Sequence, residues 1–171
     1  MLRCAHCGTF NRIPPPHLEG KARCGYCGAG LDRSAHPQAV SDAALARALG
    51  RSPVPVLVEF WARWCAPCAM ASSTLEQVAR AFAGELVVLK VDVELAPLSA
   101  ELHGVRGIPT FALFAGGMEQ ARQTGMLPSA QFNEWVTRQL AHLRAQGRWP
   151  ADERQSIRLH REQEALGSHL G

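Results

Sequence analysis

The chain has 171 residues, of which 47% are hydrophobic and 19% charged, with a formal net charge of +3. That size suits one ordinary soluble domain with appendages rather than two full domains, and so small a charge with no long basic run argues against wholesale nucleic-acid binding. No apolar run approaches membrane-spanning length and no apolar h-region follows Met1, so neither a membrane span nor a secretory signal is expected, and a cytoplasm where thiols stay reduced is the expected compartment.

All six cysteines fall in Cys-x-x-Cys pairs, which in a reducing compartment points to metal and redox chemistry rather than structural disulfides. The first two pairs, Cys4/Cys7 and Cys24/Cys27, are separated by sixteen residues, the spacing of a four-thiolate zinc site. Gly8 and Gly28 follow the pairs directly, where glycine allows the tight turn beneath a metal. A segment of this length, residues 1–33, cannot bury enough apolar surface to fold alone. One structural Zn2+ can supply the missing stability, roughly 10 kcal/mol or more in small zinc peptides. Two local disulfides or disorder are the alternatives. His6 and His17 read as surface residues, because four thiolates already complete a tetrahedron.

Residues 34–39 read as a linker. Ser41-Asp42 can cap a short helix ending near Gly50. The organising stretch follows: Val56 to Trp61 is a buried strand by its apolar, β-branched run, and Ala62-Arg63-Trp64 leads to Cys65-Ala66-Pro67-Cys68. Pro67 suits the first turn of a helix, and Ala69 to Phe82 continues that helix with Leu75, Val78, Ala79 and Phe82 on one side. Cys65 therefore lies at a helix N-terminus, where the dipole lowers a thiol pKa, and Cys68, one turn on, can reach its sulfur. A thiolate that attacks a foreign disulfide and a second that resolves the mixed disulfide make up the chemistry of such a pair. Leu86 to Val93 is a second buried strand and Pro97 to His103 a short helix. Thr110–Ala115 and Gln120–Thr124 are strands joined around Gly116-Gly117. Pro128 opens a last helix with Phe132, Trp135, Val136, Leu140 and Leu143 on one stripe. The order fits an α/β fold, a mixed central sheet with helices on both faces. From 145 to 171 the chain is a charged tail in which Arg158 can pair with Glu162, read as a solvated helix or frayed terminus, with a partner-binding helix as the sharper alternative.

Phe60 to Cys68 resembles the active site of the thioredoxin family, and Gly107-Ile108-Pro109-Thr110 its cis-proline loop. The similarity spans roughly Val40 to Arg144. With the cysteine-rich ribbon and Asn11-Arg12-Ile13-Pro14, the chain is similar to the zinc-containing second thioredoxins of bacteria. This resemblance implies the thioredoxin fold and a protein-disulfide reductase with Cys65 as nucleophile and Cys68 as resolving thiol. It also implies reducing power from an NADPH-dependent thioredoxin reductase, oxidised proteins as substrates, and no organic cofactor. It implies a cis peptide before Pro109 that presents Ile108 to an extended substrate segment, and a groove made by Trp64, Ala66, Pro67, Ile108 and Gly125. Glu59 stands where the family carries a buried aspartate that exchanges a proton with the second cysteine, and Lys90 where it carries a neighbouring lysine. A strand covered on both faces offers Glu59 no route to water, so its pKa is expected to rise, with a structural Glu59–Lys90 pair as the alternative. Trp61 is expected to pack against the helix. Ala66, Ala69 and Ser73 depart from the family's usual Gly, cation and Pro. The rival class is a partner-binding or holdase module on the same scaffold; an oxidant or isomerase is a third reading.

Overall fold

The computed structural model describes residues 1–13, 22–32 and 34–147. The expectations for His17, Pro14 and the tail beyond Gly147 lie outside these residues. The first pair of short strands, β1 (Leu2–Arg3) and β2 (Phe10–Asn11), is antiparallel and brackets Cys4 and Cys7. A bridge between Arg23 and Gly30 brackets the second pair in the same way. Gly8 and Gly28 adopt φ of +79° and +72°, and each amide donates back to the carbonyl of Cys4 or Cys24 at 2.9 Å. These are the two turns for which glycine was expected.

The main sheet has five strands in the order β3 (Gln38–Ala39), β5 (Val87–Asp92), β4 (Val56–Trp61), β6 (Thr110–Ala115) and β7 (Met118–Thr124). β3 and β4 run parallel to β5, whereas β6 is antiparallel to both β4 and β7. β3 falls inside the stretch read as a linker. Its two residues carry no hydrophobic pattern, but they pair with Leu89 and Lys90 and so cover the edge of β5. Gly116 and Gly117, at φ +58° and +78°, form the two-residue turn between Ala115 and Met118, and a turn with positive φ at both positions matches the strand twist.

Helices cover both faces. α2 (Ala66–Ala81) and α4 (Ser129–Ala145) close one side around Leu57, Val88, Phe111 and Leu113, with Phe132, Trp135, Val136, Leu140 and Leu143 all buried as the stripe required. α1 (Asp42–Arg51) and α3 (Pro97–Leu102) lie on the other side over Val58, Phe60, Leu89 and Val91. Ser41 occupies the N-cap of α1 without making a side-chain cap. Asp42 instead accepts from the Ser99 amide at 2.7 Å. It thereby serves the N-terminus of α3, whose own cap residue, Ala96, has no side-chain acceptor. α1 also runs through Gly50 to Arg51 before ending.

Candidate active site and metal centre

The register of the central strands assembles the site at one end of the sheet. Phe60 near the end of β4 lies opposite Thr110 at the start of β6, and Thr110 lies opposite Thr124 at the end of β7. The segments that leave or enter at that level are the ones carrying Cys65, Pro109 and Gly125. β5 ends beside them, with Asp92 opposite Trp61.

Cys65 is the N-cap residue of α2, and Ala66 and Pro67 are its first two residues, both exposed. The Cys68 amide donates to Cys65 Sγ at 3.2 Å, one of the helix-terminal N–H groups that stabilise negative charge on sulfur. Cys65 and Cys68 are joined as a disulfide, with Cα atoms 5.3 Å apart. Cys65 retains 5% exposure and Cys68 only 1%.

Around the sulfur pair, the Ile108–Pro109 peptide is cis. Pro109 is buried and Ile108 half-buried. The Gly125 amide donates to the Pro109 carbonyl at 2.8 Å. Gly125 has φ +80° and open space where a Cβ would stand, leaving bare backbone beside the loop. Trp64 is 68% exposed, and its indole N–H donates to Glu94 Oε1 at 3.0 Å. That contact fixes a flat apolar surface next to Cys65. Glu94 was not singled out from sequence, nor was Asp92, which is buried, accepts from the Glu94 amide and lies 4.0 Å from Arg63 Nε. Their position just after a buried strand, at the same level as Cys65, is the signal that could have found them.

Beneath α2, Leu57, Glu59 and Trp61 alternate onto one face of β4. Glu59 is fully buried, and Lys90 Nζ lies 3.1 Å from its Oε2 at ion-pair distance but outside hydrogen-bond alignment. The same ammonium reaches Ser72 Oγ of α2 at 3.5 Å and sits 4.7 Å from the centroid of the Trp61 ring. Burial raises the Glu59 pKa, and the Lys90 charge offsets that only in part. Ser72 and the cation–π contact were not foreseen. A serine on a helix reads as surface, and only the strand-to-helix geometry shows what Lys90 touches.

At the N-terminus, the Sγ atoms of Cys4, Cys7, Cys24 and Cys27 all lie within 4.8 Å of one another. Cys4–Cys27 and Cys7–Cys24 are 3.7 and 3.6 Å apart. A tetrahedron with metal–sulfur bonds of about 2.3 Å has sulfur–sulfur edges of about 3.8 Å, so the four donors fit a zinc-sized ion. Asn11 supports the cluster, donating to Cys24 Sγ and accepting from the Gly25 amide. The amides of Cys27 and then Tyr26 draw the Cys24 thiol down to about 6, towards the thiolate that a metal takes. Against the help of the Ala29 amide, desolvation and the crowding of Cys7, Cys24 and Cys4 push Cys27 up to about 12. Four sulfurs so close cannot all ionise without a cation between them.

The thioredoxin family model matches residues 36–138. The chain belongs to the thioredoxin family. It is similar to thioredoxin C-3 of Corynebacterium nephridii, at 34% identity over 140 residues that cover 82% of this chain and 95% of that protein. It is also similar to the thioredoxin of Rhodospirillum rubrum, at 37% identity over 57% of this chain and 93% of that one. Thioredoxin 1 of Chlorobaculum tepidum is 41% identical over 50% of the chain and 84% of its own length. The chain is a thiol–disulfide oxidoreductase that reduces protein disulfides, and the Cys65–Cys68 disulfide is the oxidised form of its cysteine pair. Four clustered cysteines in its N-terminal ribbon can hold a metal ion. Among the described residues no helix is long and apolar enough to cross a membrane.

Proposed function

We propose that Cys65 is the attacking thiol and Cys68 the resolving thiol, in a cytoplasmic reductase that is recharged by an NADPH-dependent thioredoxin reductase. In the first step the Cys65 thiolate attacks one sulfur of a substrate disulfide. A Cys65–substrate disulfide forms and the other substrate sulfur leaves as a thiolate. In the second step the Cys68 thiolate attacks Cys65 Sγ, the Cys65–Cys68 disulfide forms and the remaining substrate sulfur leaves. Two electrons pass to the substrate, and the reductase returns them to the cysteine pair. The observation that carries the assignment is the placement of Cys65 at the cap of α2, more exposed than Cys68 and accepting the Cys68 amide.

Glu59 takes the Cys68 proton in this reading, since a carboxylate with a raised pKa works as a base near neutrality, and Lys90 sets how far it is raised. Trp64, Ala66, Pro67, Ile108 and Gly125 line the groove for an extended segment of an oxidised protein, which pairs with the backbone before Pro109 as an added strand. Residues 1–33 form the ribbon, with Cys4, Cys7, Cys24 and Cys27 holding one structural Zn2+. The redox domain runs from β3 at Gln38 to residue 144, so that 34–37 join the two. When bound, the metal supplies folding free energy to the ribbon and takes no part in the exchange.

The test is a pair of variants. Cys65→Ser is expected to abolish insulin reduction. Cys68→Ser is expected to accumulate mixed disulfides through Cys65. Species trapped on Cys68 in the Cys65→Ser protein, with none in the converse variant, reverse the assignment.

A further inference from the structure

Ribbon and redox domain meet around one buried arginine. Arg3 keeps 8% of its surface. Its Nη1 donates to Gln38 Oε1 at 2.6 Å, and Gln38 Nε2 donates to the Arg3 carbonyl at 3.1 Å. The rest of the guanidinium lies against the first knuckle, where a Cβ on Gly8 would stand 3.3 Å from Nη2. Arg3 Nε is buried with no hydrogen-bond partner among the described residues. A guanidinium with unused donors in so enclosed a place calls for an acceptor.

The same arginine lines a cleft of about 230 Å³ between the two units. One wall is the ribbon, with Arg3, Cys7 and Gly8. The other is α1, where Ala44 and Ala48 form a low floor between Arg47 and Arg51. Arg47 and Arg51 are one helical turn apart and exposed. No ion pair holds either of them among the described residues. The Arg47 charge is near enough to weigh against the Arg3 cation, second only to burial. Among the described residues no carboxylate lines the cleft.

We propose that this cleft is an anion site that takes the phosphoryl group of a small soluble molecule, a free phosphate or diphosphate. Three arginines that line one space, one of them fixed by burial, suit the forked recognition of phosphate oxygens. The volume equals on the order of seven waters at their liquid share, room for a diphosphate and too little for a folded partner. The ribbon's own charge does not use up the arginines. A zinc tetrathiolate carries a net charge of about minus two, against three arginine cations. A ligand seated here touches both walls and holds the ribbon to α1.

The experiment is calorimetric titration of the zinc-loaded full chain with inorganic phosphate and with pyrophosphate, at low ionic strength, for wild type and for Arg47→Gln/Arg51→Gln. Zinc content and insulin reduction serve as controls, because neither arginine belongs to the redox site. Saturable binding of one anion per chain, tighter for pyrophosphate and at least tenfold weaker in the double variant, is the expected result. Absence of saturable binding in wild type overturns the proposal, as does equal affinity in the double variant. If the double variant loses zinc while wild type binds neither anion, the arginines serve the thiolates alone and the site does not exist.

Discussion

The ribbon and the redox domain are held by different physics. Among the described residues the ribbon's buried apolar set is Cys4, Cys24 and Leu31, so two of these three are themselves ligand candidates. One buried leucine contributes about 1.5–3 kcal/mol, far below the backbone entropy of ordering some thirty residues at roughly 1–2 kcal/mol each. The redox domain has apolar clusters on both faces of its sheet, one closed by Leu75, Val78, Phe132 and Leu140, the other by Leu45, Val58, Phe60 and Leu89. Such a domain needs no metal. The two meet through hydrogen bonds of Arg3 with Gln38 and of the Met1 nitrogen with the Gly84 carbonyl, and Met1 and Phe10 pack against the domain's apolar cluster. The contrast teaches that neighbouring units of one chain need not be stabilised alike: one has an apolar core on each face of its sheet, the other has four clustered thiols in place of a core.

Metal removal breaks the comparison most strongly. Chelation should cost the ribbon the roughly 10 kcal/mol or more that zinc supplies to small zinc modules, which unfolds it. Amide exchange should then become fast from Arg3 to Leu31 in the described residues and stay slow in β4, β5 and β6. Equal loss of protection in the sheet would show one cooperative unit instead of two.

The converse variant is Phe132→Ala. Phe132 is fully buried, with its ring 4.6 Å from that of Phe111. Its loss should destabilise the domain by about 3–5 kcal/mol, read from urea unfolding, while zinc content stays at that of wild type. Gln38→Ala then probes the joint. It removes both hydrogen bonds to Arg3, and the expected cost is about 1–2 kcal/mol. The effect should appear as faster exchange in the ribbon with little change in insulin reduction.

Much of this was legible because the decisive patterns are short-range. The Cys65-x-x-Cys68 pair after a β-branched run gave the helix cap, the glycines after Cys7 and Cys27 gave the turns, and the stripe from Phe132 to Leu143 gave the buried face of α4. What escaped depends on long-range pairing. β3 has only two residues and no alternation, so nothing local marks Gln38–Ala39 as part of the sheet. Nothing local marks Arg3 as buried, because arginine is mostly exposed. Only the closure of the ribbon on the domain encloses it. Asp42 was read as part of a local cap, yet it bonds an amide 57 residues away. Ser72 and Glu94 gain meaning only once Lys90 and Trp64 have been placed in space.

The smallest expected effect concerns Glu59, where burial and the neighbouring cation oppose each other within the redox domain. Burial prevails, so the folded-state pKa lies above that of the unfolded chain. An unfolded glutamic acid titrates near about 4.3. Below that pH both states hold the proton and its contribution to stability is fully present. As pH rises, the unfolded chain releases the proton first, and the contribution is lost progressively through the folded pKa. Glu59→Gln keeps the shape and cannot ionise. Its stability relative to wild type should therefore improve as pH rises from 4 to 8, measured by urea unfolding at matched ionic strength. The same variant should slow resolution of a Cys65 mixed disulfide in single turnover and flatten its pH dependence near neutrality. A structural Glu59–Lys90 pair gives the opposite sign: a carboxylate held ionised by Lys90 at 3.1 Å stabilises the fold more as pH rises. In that case the Gln variant falls behind wild type at pH 8. That outcome, with unchanged resolution rates, removes Glu59 from the chemistry and leaves it a buried counter-ion.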